Sequence, residues 1–389
     1  MATASRDRHA SAQGLAATIR QALVNGALPG ELDGFDGEAR DDAASFVAEA
    51  AATRAAGKAV VAIESVAAGE RRRHMRLAII NDDMPFLVDS VAATIAAHGL
   101  AIDRLLHPVL SVRRNDAGRL TDVLDDDAEG ERRESMIYVE VERADAKERR
   151  ALVTTIERNL NHVRAAVSDW PAMQTAMRAD ADRLPDGEGA ALHRWFLDRH
   201  FTQLAHEMRD RKGAVSAPLG VSRVDDTPLL APSTITDAFR WFEEGGDAPL
   251  AVKSNRIATV HRHVPLDVLI VPVREGGRII DLSLHAGLWT SSALNAAPEK
   301  VPVLRARLAA LQEKYRFDPS GHAGKALSHA LAALPHDLLI AFEPAALETV
   351  ALTSMSLADR PRARLVGVPS PLGRHLFAFV WLPRDESTT

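Results

Sequence analysis

The sequence predicts an α+β fold built from several modules, and three observations lead there. Across residues 75–112 the apolar positions switch from a period of two to spacings of three and four, then back, the pattern of strand, helix and strand. Further alternating runs at residues 136–141, 250–252, 257–264, 266–273, 279–284 and 376–382 are interleaved with helical patterns. A length of 389 residues exceeds one compact domain, so two or three are expected.

Residues 1–58 are rich in Ala, Gly and Asp. Leu15, Ile19, Leu23 and Val24 predict one amphipathic helix and Phe46, Val47 and Ala50 a second, with a glycine-containing loop between. This segment is expected to be helical and in part mobile, and residues 59–66 to form a strand. Met75, Leu77 and Ile79 then alternate as a half-buried strand. After the tight loop Asn81, Asp82, Asp83, Met84, Pro85, Phe86, Leu87, one face of a helix carries Leu87, Val91, Thr94, Ile95 and His98. Asp83 or Met84 is expected at its N-cap, Pro85 in its first turn where a missing N–H costs nothing, and Gly99 at its close. Residues 102–112 return as a strand. The result is a βαβ unit, whose strands should run parallel with a right-handed crossover.

Asn115, Asp116, Ala117 and Gly118 mark a turn, residues 125–131 a charged loop, and residues 136–141 a third strand. A long helix follows, with Leu152, Ile156, Leu160, Val163, Val167 and Trp170 on one face; Pro171 should end it, although Met173 and Met177 continue the spacing. Residues 184–189 read as a linker, and Leu192, Trp195, Phe196, Arg199 and Leu204 as a helix. Glu275, Gly276 and Gly277 form a hairpin turn between two of the later strands. Val301, Leu304, Leu308, Leu311 and Tyr315 predict another helix, with more near residues 324–333 and 344–356. Residues 376–382 alternate as a lone strand. Such a strand can neither pair its backbone nor bury its face by itself, so the chain is expected to stop partway into a further module.

At "IINDDMPFLVDSV" (residues 79–91) the sequence resembles a signature of the large, NAD-specific glutamate dehydrogenases of bacteria. Further similar blocks follow in order: "HPVLSVRRNDAGRL" (107–120), "ESMIYVEVER" (134–143), "VHRHVPLDVLIV" (260–271), "GLWTSSALN" (287–295), "HAGKALSHAL" (322–331) and "FAFVWLPRDEST" (377–388). Together they span most of the chain beyond about residue 60.

Beyond the helical segment over residues 1–58, the resemblance implies an ACT-like, ferredoxin-like domain over 59–180, whose closing strand is not visible. A linker at 181–189, a PAS-like α+β domain over 190–298, and a helical segment and linker over 299–372 would follow, then the first strand of a truncated ACT-like domain at 373–389. Family members usually continue one helix with an aromatic "FTFLGYREY"; this chain reads "FTQLAHEMR" (201–209) instead. For function, the resemblance implies a homo-oligomer that converts L-glutamate, NAD+ and water into 2-oxoglutarate, ammonia and NADH; a cytoplasmic location is the default expectation for a chain read without signal peptide or span. This chain would be its regulatory and oligomerising part, without the catalytic and NAD-binding residues. Its implied partners are the catalytic remainder, further copies through ACT-like modules, and a small amino-acid effector; neither nucleic acid nor membrane is expected. The effector would lie at Asn81, Asp82, Asp83, Met84, Pro85, Phe86 and Leu87, its carboxylate on helix amides and its ammonium on acidic neighbours. The alternative is a free-standing ACT-type amino-acid-binding sensor or scaffold protein.

Composition narrows the chemistry. The absence of cysteine excludes disulfides, thiolate metal sites, Fe–S clusters and a cysteine nucleophile. With 53 acidic against 47 basic residues and a net charge of -6, there is no basic footprint for nucleic acid. Residues 1–10 lack the apolar stretch of a signal peptide, and no run is long enough to cross a bilayer. No dinucleotide fingerprint or P-loop occurs, since Gly187-Glu188-Gly189 lacks its third glycine and a preceding strand.

The other polar motifs favour structural readings. Asn81, Asp82 and Asp83 offer oxygen ligands for a hard cation but at no EF-hand or Walker spacing. A first helical turn that favours acidic residues explains them equally well. His261 and His263 are two apart on an expected strand, hence on one face, without a third ligand nearby. His193, His200 and His206 have no HExxH spacing, and His107-Pro108 opens a strand. Gly287, Leu288, Trp289, Thr290, Ser291 and Ser292 lack a nucleophile-elbow spacing and are expected to turn a strand into a helix. Arg71-Arg72-Arg73 and Arg209-Asp210-Arg211-Lys212 read as solvated charge clusters.

Overall fold

The computed structural model describes residues 3–28, 30–66, 74–124 and 132–383. The Arg71-Arg72-Arg73 cluster, the charged loop at 125–131 and the end of the final motif, 384–389, lie outside them. Two compact units emerge: Met1–Val167 with Ala258–His263, and Ser168–Ile257 with Val264–Thr389.

In the first unit, helices α1 (Thr3–Asn25) and α2 (Gly37–Ala51) precede strands β1 (Val60–Val66) and β2 (His74–Asp82). Helix α3 (Leu87–Ala97), strands β3 (Ile102–Leu106), β4 (Val109–Arg114), β5 (Leu120–Leu124) and β6 (Arg132–Val141), and helix α4 (Ala146–Arg183) follow. The sheet order is β1-β2-β6-β4-β5, with β3 also on β6. Both β2 and β3 pair antiparallel with β6. They therefore run in the same direction, as the βαβ pattern requires, but β6 lies between them rather than leaving them as neighbours. The expected single strand over 102–112 is broken at His107-Pro108, where Pro108 has no N–H to give and its carbonyl instead accepts from Met136 N at 2.9 Å.

Strand parity divides the sheet's side chains between two helical layers. Ala78, Ile80, Met136 and Tyr138 share one core with Ile19, Leu23, Phe46 and Val47 of α1 and α2. The N-terminal helices are thus part of this domain and not a separate segment. Leu77, Ile79, Ile137 and Val139 have the opposite parity and are equally buried, as are Leu87, Val91 and Ile95 of α3 and Leu152, Ile156, Leu160 and Val163 of α4. Asn159 Nδ2 ties α4 to α3 through Thr94 Oγ1 at 2.8 Å. Among the described residues no strand follows α4 into this sheet; the edge beside β2 is taken by β1, which precedes it.

Gly118 shows why the 115–118 turn needs glycine. Its φ is +75°, and a Cβ there would sit 2.4 Å from the Arg54 carbonyl oxygen, which is backbone and cannot swing away. Gly118→Ala is expected to destabilise the first unit by about 1–3 kcal/mol, read as a lower urea midpoint with an unchanged slope.

Pro171 does not end α4, which continues to Arg183. The proline forfeits one helical hydrogen bond, but Met173, Met177 and Ala181 beyond it are fully buried and hold the helix together. Trp170, expected on the apolar face, is 51% exposed.

The second unit continues with α5 (Glu188–Trp195), a π-helical turn at Phe196–His200, β7 (Phe201–Asp210), β8 (Val215–Gly220) and the short α6 (Val221–Val224). Next come α7 (Pro232–Glu243), β9 (Leu250–Ile257), β10 (Pro265–Glu275) and β11 (Arg278–Trp289). Helices α8 (Ser291–Leu294), α9 (Leu304–Tyr315), α10 (His322–Ala332), α11 (His336–Leu339) and α12 (Pro344–Asp359) lead to β12 (Arg364–Pro369) and β13 (Leu376–Trp381). The main sheet is antiparallel, in the order β8-β7-β11-β10-β9. The β10–β11 turn has φ of +55° at Gly276 and +83° at Gly277, the backbone that a two-residue hairpin demands.

Several expectations fail here for local reasons. The helix expected to include Leu204 ends at Arg199, whose φ of 62° and ψ of 23° break it, so Leu204 and His206 lie on β7. The run at 257–264 is not a strand: β9 stops at Ile257, and His261 has a left-handed φ of 67°. The final strand is not alone, because β12, unnoticed in the sequence, pairs with β13. Val366, Phe377, Phe379 and Trp381 pack against a core built from α9 to α12.

Candidate functional site

The loop singled out in the sequence closes β2 and opens α3. The helix begins later than expected: its N-cap is Phe86, with φ of 72°, and no side chain caps it. Asp83 and Pro85 therefore lie outside the helix. Asp83 instead binds β6, its N–H donating to the Arg133 carbonyl at 3.0 Å and its carboxylate lying 3.7 Å from the Arg133 guanidinium. The first intrahelical bond runs from Ser90 N to Phe86 O, so the amides of Leu87, Val88 and Asp89 precede the hydrogen-bonded ladder.

Residues 258–263 of the same unit cover this turn. His261 N donates to Ser90 Oγ at 2.9 Å, and its ring nitrogen Nδ1 lies 2.7 Å from Asp89 Oδ2. The Phe86 and His261 rings are 5.2 Å apart. His263 is exposed and shares no strand with His261. The two therefore do not share the strand face that their spacing suggested, and among the described residues no cluster of three His, Asp or Glu could hold a metal.

Beneath the loop runs a chain of charges. Asp82 accepts from Arg54 Nη2 through Oδ1 and from Arg164 Nη1 through Oδ2, both at 2.6 Å. Arg164 also donates to Asn81 Oδ1. Arg54 continues to Glu134 at 2.7 Å, and Glu134 accepts two bonds from Arg114, at 2.8 and 2.7 Å. Arg54 and Glu134 side chains are wholly buried. Burial pushes the Glu134 carboxyl up, but hydrogen bonds from Arg114 and Arg54 outweigh it and hold the group below the usual carboxylate range. The same balance, with Arg54 and Arg164 as donors, lowers Asp82. Asp82 therefore has both oxygens engaged, while buried Asn81 Nδ2 has no hydrogen-bond partner.

This network was not anticipated. Strand parity contained part of it, since Arg114 alternates with Val112 and Leu110, and Glu134 with Met136 and Tyr138, all inward-facing. Nothing in the order of residues marked Arg54 or Arg164, which arrive from distant elements.

Three histidines, His193, His206 and His285, gather in the second unit. His285 Nε2 lies 2.7 Å from Asp180 Oδ2, and His285 Nδ1 lies 2.9 Å from Gln203 Nε2. His206 stacks on His285 at 4.8 Å, and His193 meets its edge at 5.7 Å. Neither ring nitrogen of buried His193 has a hydrogen-bond partner. Thr290 Oγ1 caps α8 by accepting from Ala293 N at 3.3 Å, and Ser292 Oγ is 2.9 Å away, so these hydroxyls turn the strand into the helix.

Comparison with known proteins matches residues 24–156 to the glutamate dehydrogenase ACT1 domain and residues 301–360 to glutamate dehydrogenase helical motif 1. The NAD-specific glutamate dehydrogenase of Halomonas elongata is 30% identical over 82% of this chain and 22% of its own length. That of Pseudomonas aeruginosa is 29% identical over 82% of this chain and 21% of its own. The chain thus spans about a fifth of the length of these relatives. A solved structure described as an RNA-binding light-oxygen-voltage receptor overlaps 73% of this chain and 90% of its own at 14% identity, with a TM-score of 0.18, too low to bear on fold. Among the described residues no helix is long and apolar enough to cross a membrane. The ACT1 match covers the six-stranded domain, the helical-motif match covers α9 to α12, and each relative aligns with 82% of the chain: the chain belongs to the large NAD-specific glutamate dehydrogenase family, matching its N-terminal region.

Proposed function

We propose that this chain is the regulatory and assembly-forming part of an NAD-dependent glutamate dehydrogenase, whose glutamate oxidation is carried out by residues elsewhere in the holoenzyme. The observation that supports this most is the ACT1 match over the domain that holds the 81–87 loop. In this reading the second unit's five-stranded antiparallel sheet is PAS-like, and the partners are the catalytic part and further copies of the chain. The sequence's lack of a dinucleotide fingerprint is consistent with NAD binding outside it. Purified chain mixed with glutamate and NAD+ is expected to form no NADH; turnover above the buffer rate would overturn the proposal.

The effector site of this reading is the loop Asn81–Leu87, in a narrower form than its sequence suggests. Asp82 is committed to two arginines, so the effector ammonium falls to Asp83, and the carboxylate to the first amides of α3 and the unfilled Asn81 Nδ2. Asp83 pairs only loosely, with an exposed arginine. Asp83→Lys should therefore abolish the rise in melting temperature caused by an amino-acid effector while leaving the unliganded melting temperature unchanged. Stabilisation that survives the change would move the site elsewhere.

A further inference from the structure

The second unit holds a cavity of about 970 Å³ between the 184–189 segment, the 245–249 loop, α9 and the start of α12. Its charged lining divides into groups that are already paired and groups that are not. Glu188 accepts from Val303 N at 2.7 Å and from the Arg305 guanidinium at 3.0 and 3.1 Å, so its carboxylate is committed. Arg183 lies 2.6 Å from Asp180. Arg307 of α9, by contrast, makes one hydrogen bond, from Nη1 to the Leu339 carbonyl at 2.7 Å. Arg274 of β10 reaches only the Phe242 and Gly277 carbonyls, at 3.4 and 3.5 Å. Among the described residues neither guanidinium has a carboxylate at ion-pair distance. Two acids remain in the lining, Asp247 and Glu343, and both are exposed.

Burial decides which of these charges a ligand would satisfy. An exposed carboxylate is stabilised by water at high dielectric, whereas a half-buried guanidinium depends on what the protein supplies. Burial lowers the Arg307 pKa, and attraction to Glu343 and Asp247 offsets this only in part. Those two acids line the same cavity, which sets the charged end of Arg307 at its wall. A cation entering there would be repelled. An oxyanion would supply the missing charge and take the donors left on Nε and Nη2, in the forked geometry that guanidinium offers to carboxylate and phosphate. Helix α5 begins at the same wall. Its first bond runs from Ala191 N to Gly187 O, so the amides of Glu188 and Gly189 precede the ladder.

We propose that this cavity binds a small organic oxyanion, its charged head on Arg307 and Arg274 and its apolar body beside Leu192 and Phe342 of the lining. The site is independent of the family reading and of the 81–87 loop. The test is calorimetric titration of the full chain with phenyl phosphate and with benzoate, which distinguish a phosphate from a carboxylate head. Benzylammonium, with a similar body and the opposite charge, is the third arm.

Saturable binding of at least one anion, without benzylammonium binding, is expected. Arg307→Gln should weaken that anion at least tenfold. Glu343→Gln removes an exposed competing charge and should strengthen it at least threefold. Should the Arg307 variant fail to fold, Arg274→Gln at the exposed rim takes its place, with at least a threefold loss expected. Failure of both anions to bind saturably, benzylammonium binding as tightly as the anions, or unchanged affinity in any folded variant would each overturn the proposal.

Discussion

Glu134→Ala is expected to destabilise the first unit by about 3–5 kcal/mol, the cost of leaving buried charges without their partner. Glu134 lies on β6 with its side chain wholly buried, between Arg54, also wholly buried, and Arg114, 4% exposed. Removing the carboxylate strands two guanidinium groups where water cannot reach them, and Arg54 keeps only Asp82 and the Lys58 carbonyl. An exposed pair in the same sheet provides the control. Arg113 lies 3.7 Å from Asp122 with both side chains more than half exposed, and Arg113→Ala should cost no more than about 1 kcal/mol. Urea unfolding measures both. All five tryptophans, at 170, 195, 241, 289 and 381, lie in the second unit, so their fluorescence follows that unit while far-UV circular dichroism follows both. In Glu134→Ala the dichroism transition should move to lower urea more than the fluorescence transition does. Equal loss in the Arg113 control would show that burial is not the cause.

Acid should destabilise the second unit at a pH where most carboxylates are still ionised. Burial, with His285 adding to it, lowers His193 to about 3 and His206 to about 4, against an ordinary value of 6.5. Asp180 acts in the opposite sense on both histidines but is outweighed. Because the folded state resists protonation, the unfolded chain takes up these protons first. Stability is fully present above pH 6.5 and falls as pH drops towards the folded values. Each histidine contributes a slope of about 1.4 kcal/mol per pH unit, so the pair should cost about 5 kcal/mol by pH 4.5. Burial raises the Asp180 carboxyl, but hydrogen bonding from His285 brings it below the ordinary range. Its contribution is therefore lost only under more acid conditions. Tryptophan-monitored urea midpoints between pH 7 and 4.5 would trace the fall, and His193→Leu should remove about half of it. An unchanged slope in that variant would place the acid sensitivity elsewhere.

Secondary structure was most legible where periodicity was long and unbroken. The α3 and α9 faces and the β10–β11 hairpin stand where the apolar spacing and the paired glycines put them. Legibility failed where one residue's backbone overrode its neighbours. Arg199 in a left-handed conformation turned an apparent helix into β7, and His261 in another ended an apparent strand. Phe86, also left-handed, delayed the start of α3 past the acidic residues expected to cap it. Such single-residue conformations leave little trace in hydrophobic pattern, because they are imposed by the surroundings and not by local propensity.

The sequence by itself determined the α+β class, the absence of thiol chemistry and the family, since these depend on periodicity, composition and collinear motifs. Tertiary structure alone decided which charges meet. Arg54, Asp82, Glu134 and Arg164 come from the α2–β1 connection, the end of β2, the start of β6 and the middle of α4. Lys253, Asp267 and Asp337 are likewise brought to ion-pair distance from β9, β10 and α11. A buried charge is tolerated only with partners at hydrogen-bond distance, and those partners are chosen by the packing of distant elements, which no local pattern records.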